Sequence, residues 1–164
     1  MDYRIGDRIV HPLHGAGEIS EIEVKRVEGK NRSYYVMHIP KGDMRVMIPT
    51  DACDRIGIRP VIGREQADEI FRAIPAMETA EDSNWNRRYR ENMVSIRSGD
   101  LLKVAAVIKS LVRREAAFGL SNGERKMLHS AKQIFISEMM FSQERSYEGV
   151  ERELYSVLDE GRTA

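Results

Sequence analysis

The feature that most constrains this chain is a change of hydrophobic period near residue 60. Before that point apolar residues come in short runs broken by turn formers, and after it they recur at helical spacing. Arg8-Ile9-Val10 is flanked by the breakers Gly6-Asp7 and His14-Gly15-Ala16-Gly17. Ile19, Ile22, Val24 and Val27 then recur through a charged segment in the manner of a half-buried strand. A turn at Glu28-Gly29-Lys30-Asn31 leads to Ser33–Ile39, rich in residues that suit a pleated surface. Lys41-Gly42-Asp43 turns the chain again into Met44–Ile48, which ends at Pro49. About five such short strands bury too little as a flat sheet, so a small closed barrel, SH3-like or Tudor-like, is expected for residues 1–60.

Residues 61–164 read as a bundle of about five helices. Ala67, Ile70, Phe71 and Ile74 form an apolar stripe that stops at Pro75. A polar, acidic connection over 76–84 follows, then a helix from an N-cap at Ser83 to Ser98-Gly99. A third helix begins at Asp100 and carries Leu101, Val104, Ile108 and Leu111 inward. Ser121-Asn122-Gly123-Glu124 has the spacing of a capping box and opens a fourth, with Met127, Ala131, Ile134, Phe135 and Met139 inward. A fifth spans about 147–160. The fold class expected is therefore α+β, a small β barrel followed by an all-α bundle.

Charge narrows the function. The formal net charge is zero, yet between Asn84 and Lys132 eleven basic residues stand against four acidic ones, with acidic stretches on either side. Such a centre is either a phosphate-facing surface or a set of solvated helix faces. Within it, Ser83-Asn84-Trp85-Asn86-Arg87-Arg88-Tyr89-Arg90 places the only tryptophan at a helix start among arginines and asparagines. A large side chain there can wedge into a base step. Trp85, Tyr89, Met93 and Ile96 also share one helical face, so periodicity alone favours a core tryptophan.

Catalysis and metal binding find little support. His11 and His14 lie in a loop without further ligands nearby, and Cys53, the single cysteine, reads as a small buried residue in a reducing cytoplasm. Tyr3, Tyr34 and Tyr35 are the only aromatic rings of the barrel segment apart from its histidines, too few for a methyl-lysine cage. No segment suggests a signal peptide or a membrane span, and no cofactor is called for.

Three motifs carry a resemblance. Ile5-Gly6-Asp7-x-Ile9-Val10-His11-Pro12-x-His14-Gly15-x-Gly17 resembles the opening of the CarD/CdnL family of bacterial transcription regulators and the polymerase-interacting module of transcription-repair coupling factors. Asn84–Arg90 with Ser98-Gly99-Asp100, and Gly119-Leu120-Ser121-x-Gly123-Glu124-Arg125-Lys126-Met127-Leu128, resemble the helical domain of the same regulators. The resemblance implies a non-enzymatic cytoplasmic adaptor, without cofactor and monomeric, whose barrel grips the RNA polymerase β subunit by strand addition. The contacting residues would be Lys25, Arg26 and Val27, with Arg45 and Met47. Many relatives carry a basic residue where Met47 stands, and Arg45, on the same strand face, supplies the charge here. The helical domain would contact promoter DNA at the upstream edge of the melted region, largely independently of sequence. Trp85 would enter the minor groove, and Arg87, Arg88, Arg90, Arg114 and Arg125 would hold phosphates.

Overall fold

The computed structural model describes residues 2–79 and 83–160. Glu81 and Asp82 of the acidic connection and Arg162 of the acidic tail lie outside the described residues.

Strands β1 (Arg8–His11), β2 (Gly15–Val27), β3 (Lys30–Ile39), β4 (Met44–Pro49) and β5 (Arg59–Pro60) form one antiparallel sheet in the order β4-β3-β2-β1-β5. Ile9, Ile19, Met37, Ile39 and Ile48 come from all four longer strands, yet they pack into one small core with Tyr3, Tyr35, Cys53 and Ile58. A sheet whose strands all point into one cluster must curl. The bend is aided by a bulge in β2 between Ile19 and Glu21, where Ser20 Oγ donates to the Val36 carbonyl at 3.2 Å. The β2–β3 hairpin is tighter than the sequence suggests. Glu28 and Gly29 alone make the turn, both at positive φ, as a two-residue I′-type loop requires, and Lys30 already pairs with Val27. A single-turn helix, α1 (Cys53–Ile56), escaped the sequence reading.

The second half of the chain holds helices α2 (Arg64–Ala73), α3 (Trp85–Arg97), α4 (Leu101–Phe118), α5 (Asn122–Gln143) and α6 (Tyr147–Glu160), as their stripes predict. Their caps explain their starts. Asn84, not Ser83, caps α3, accepting from Arg87 N at 3.0 Å, and Asp100 caps α4. Ser121 and Glu124 complete the expected capping box of α5. The α2 stripe ends in a 3-10 turn at Ile74–Ala76, whose carbonyls, with that of Met77, accept three bonds from the buried Lys109 Nζ at 2.7–2.9 Å.

The two halves are not beads on a string. Helix α5 lies across β1 and β2, where Gly15 leaves room that a Cβ would fill, 2.4 Å from Ser137 Oγ. Ala16 N donates to that hydroxyl at 2.9 Å. Glu138, fully buried on the same helix, takes both ends of the Arg59 guanidinium at 2.6 Å and the Ile62 amide at 3.0 Å. Arg59 Nε also reaches the Gly99 carbonyl at 2.9 Å. One side chain of β5 therefore ties the sheet to α5 and to the start of α4.

Candidate functional site

The N-terminal turn of α3 meets the capped start of α5, and Trp85 stands at that junction. Its indole stacks on Tyr89, one turn along, with centroids 5.0 Å apart, and its Nε1 donates to Ser121 Oγ at 3.3 Å. The ring is nevertheless 43% exposed. Of the face Trp85, Tyr89, Met93, Ile96, only Ile96 is fully buried, so the stripe descends into the core and its first member remains at the surface.

Ser121 links this tryptophan to a buried ionic cluster. Its hydroxyl accepts from Glu124 N and donates to Glu124 Oε1, both at 3.2 Å, while Glu124 Oε2 accepts from Arg88 Nε at 3.1 Å. Burial alone would push the Glu124 carboxyl up. The Arg88 hydrogen bond and charge, with the bonds from Ser121, more than offset it and hold the carboxyl below its usual range. Arg114 Nε stands 3.8 Å from the same carboxylate, and its guanidinium covers the Phe118 ring at 5.3 Å.

The predicted phosphate-holding residues therefore separate. Arg87, Arg90 and Arg125 are exposed around Trp85's helix end and the first turn of α5. Arg88 departs from the expectation. It is 8% exposed and turned inward onto Glu124, because a guanidinium beside a buried carboxylate is held by charge-assisted bonding. Arg114 is half-buried and divided between Glu124 and Phe118. Phe118, 80% exposed at the end of α4, was not singled out from the sequence. It continues the Val104, Ile108, Leu111 stripe, but α4 runs past its packing partners and Glu115–Gly119 are all exposed.

The other predicted surface lies on the sheet. β4 is an edge strand, paired only with β3, and Arg45 and Met47 share its outward face. Arg45 is ion-paired with Glu21 and, at 3.5 Å, with Glu23, both on β2. Lys25, Arg26 and Val27 are exposed at the hairpin end of β2, beyond the point where the β3–β4 ladder stops at Tyr34↔Pro49. The two segments are thus not brought alongside each other, since β3 stands between them. Ile22, Val24 and Val27, read as half-buried, are exposed on the part of β2 that runs beyond its pairing with β1, which stops at Glu18.

His11 is buried against His14, and its Nδ1 accepts from Leu13 N at 3.0 Å. Among the described residues no group of three or more His, Cys, Asp or Glu gathers that would hold a metal, and no helix is long and apolar enough to cross a membrane.

Comparison with known proteins agrees with this layout. The family profile described as CarD, C-terminal domain, matches residues 69–155, and the CarD-like/TRCF RID domain matches residues 3–62. YdeB of Bacillus subtilis (strain 168), which carries the name of a candidate transcription factor, is 35% identical over 137 residues, 84% of this chain and 90% of its own. The chain belongs to the CarD family. A solution NMR structure of the 72-residue N-terminal domain of Myxococcus xanthus CarD is also similar, at 32% identity over 36% of this chain and 79% of that one, with a TM-score of 0.32. The CarD C-terminal match takes in Trp85 and every residue that holds it, Tyr89, Arg88, Ser121 and Glu124. The RID match takes in β4 and the exposed end of β2.

Proposed function

We propose that this CarD-family chain is a non-enzymatic transcription regulator with two working parts, residues 1–60 and 61–164. The first binds the RNA polymerase β subunit through the open edge at Arg45–Met47, with Lys25–Val27 as a flanking contact. The second touches promoter DNA at the upstream edge of the melted region. Trp85 enters the minor groove there, while Arg87, Arg90 and Arg125 meet phosphates and Arg114 contributes from the side. Arg88 acts from behind, fixing α3 against α5 through Glu124. The protein works as a cytoplasmic monomer and reads DNA largely without regard to sequence.

The observation that carries this reading is Trp85 itself, a large apolar ring held at a helix tip by a stack and a hydrogen bond yet left 43% exposed. Exposure of that kind favours a DNA-facing wedge over an interaction module with a core tryptophan. A wedge that fits the melted junction better than the closed duplex shifts the opening equilibrium by that difference in affinity, without chemistry.

The test is the lifetime of an open complex formed with purified polymerase. Wild type lengthens it, Trp85→Ala adds little while still binding polymerase, and Arg45→Glu, which sets a third carboxylate beside Glu21 and Glu23, fails to bind polymerase. A Trp85→Ala protein that melts far below wild type would return the residue to the core. A wild type that neither binds polymerase nor alters the lifetime would end the adaptor reading.

A further inference from the structure

Ser121 stands between Trp85 and the buried Arg88–Glu124 pair. A hydroxyl has one proton to give and two lone pairs to offer, and in Ser121 all three are committed. It donates to Glu124 Oε1 at 3.2 Å, accepts from Glu124 N at 3.2 Å and accepts from Trp85 Nε1 at 3.3 Å. The two bonds to Glu124 fix where the remaining lone pair points, and Arg88 Nε at 3.1 Å holds the other oxygen of that carboxylate. The acceptor offered to the indole is therefore fixed in direction, unlike a serine hydroxyl turned to solvent.

The rest of the ring is held as well. Tyr89 covers one indole face, with centroids 5.0 Å apart and planes 21° apart. At Gly123 an added Cβ would lie 3.4 Å from Tyr89 Cε2 and 3.8 Å from Trp85 Cζ2, so the backbone of α5's first turn runs close beside both rings. The N–H edge and one face of the indole are thus engaged, although the residue is 43% exposed. An exposed tryptophan without such contacts samples several rotamers. One of them must be selected whenever the side chain binds, and that ordering weakens affinity.

We propose that Ser121 is a positioning residue for Trp85, holding the indole in one orientation before DNA is met. The indole has a single donor, and Ser121 takes it. For the DNA contact itself the inference rests on the reading above. A ring already ordered meets a base step without the cost of ordering a loose one, a difference of about two- to tenfold in affinity.

Trp85 is the only tryptophan, so its emission and its indole N–H resonance report on this place alone. The full chain is compared as wild type, Ser121→Gly and Ser121→Thr. Glycine at an N-cap costs a helix little, so all three should melt close together. Ser121→Gly should raise the quenching of Trp85 by acrylamide and speed the exchange of its N–H with water. It should also cut the lengthening of open-complex lifetime about two- to tenfold, at unchanged polymerase affinity. Ser121→Thr, which keeps the hydroxyl, should restore wild-type behaviour in each. A wild-type indole N–H that exchanges as fast as that of free tryptophan overturns the proposal without any variant. Equal quenching in wild type and Ser121→Gly overturns it too, as does a lengthening that Ser121→Gly leaves intact. The function reading fails separately. If wild type does not lengthen the lifetime, the promoter role ends, while a protected N–H and rescue of the quenching by Ser121→Thr still establish that Ser121 holds the ring.

Discussion

Removing the Glu138 carboxylate should loosen the seam between sheet and helices more than almost any other single change. Glu138→Ala deletes two bonds to Arg59 at 2.6 Å and one to the Ile62 amide at 3.0 Å, from a side chain with no solvent exposure. What remains is a guanidinium whose side chain is only 27% exposed and an amide without its acceptor. Breaking a buried pair by removing one partner typically costs about 3–5 kcal/mol. Arg59 keeps the Gly99 and Pro60 carbonyls at 2.9 and 3.0 Å and some access to water, which places the loss near the lower end, about 3 kcal/mol. That is roughly a 150-fold change in the folded-to-unfolded ratio, or a fall in Tm of about 6–12 °C for a chain of this size. Urea unfolding of wild type, Glu138→Ala, Arg59→Met and the double variant measures it. The double variant should be clearly more stable than the summed single losses predict, because neither charge is then left alone. A single loss under about 1 kcal/mol, or strictly additive losses, would show that the pair does not hold the seam.

Two further expectations concern the same side of the molecule. Gly15→Ala combines positive φ (+89°) with a methyl 2.4 Å from Ser137 Oγ and 3.1 Å from Ile134 Cα, whereas Gly29→Ala has positive φ (+78°) and open space. Gly29→Ala should lose about 1 kcal/mol from backbone strain alone, and thermal melts should show at least twice that loss for Gly15→Ala; equal losses would mean the seam tolerates separation. For His11, burial first and His14 second lower the pKa to about 4 from 6.5. The unfolded chain then binds the proton more readily. Stability contributed by neutral His11 should therefore be present above pH 6.5 and fall away between 6.5 and about 4, by at most about 3 kcal/mol. His11→Asn, which keeps an acceptor for Leu13 N, should flatten that part of the stability-against-pH curve, and an unchanged curve would refute the assignment.

The sequence carries the secondary structure because its signals are local. A capping box needs only Ser121 and Glu124, and a core stripe only its spacing, so the starts of α4 and α5 are legible to within a residue. The misreadings share one cause, dependence on a distant partner. Ile22 and Val24 alternate as a half-buried strand should, but they lie on the stretch of β2 that runs past its pairing with β1. Arg88 looks like its neighbours Arg87 and Arg90 until Glu124, thirty-six residues on, is placed beside it. Lys109 counts as a surface charge until the turn at Ile74–Ala76 offers it three carbonyls. Trp85 has two valid readings on its helix, and its partial exposure depends on where α5 places Ser121 beside it. The seam at Gly15, Arg59 and Glu138 has no periodic signature at all.

These inward turns change what the basic centre can do. Arg88 and Lys109 are buried, and Lys132 is held by Glu151 at 3.1 Å and lies near the Tyr155 ring. The cations that stand exposed in that stretch are Arg87, Arg90, Arg97, Lys103, Arg125 and Lys126, spread over three helices. Only those near Trp85 would reach the same duplex, so the phosphate contacts under the proposed reading number about three. Each contributes about 0.9 to the salt dependence of binding. An interface so small binds DNA weakly by itself at cellular salt. It becomes effective if another contact already holds the protein at the promoter, because the second encounter is then intramolecular. Such tethering helps most when the two contacts keep a fixed separation, since a loose joint lowers the effective concentration at the base step. The buried Arg59–Glu138 pair and the close approach at Gly15 supply that fixed separation. Under this reading the neutral net charge of the chain and its rigid internal seam are two consequences of one requirement, that DNA contact be conditional on the partner.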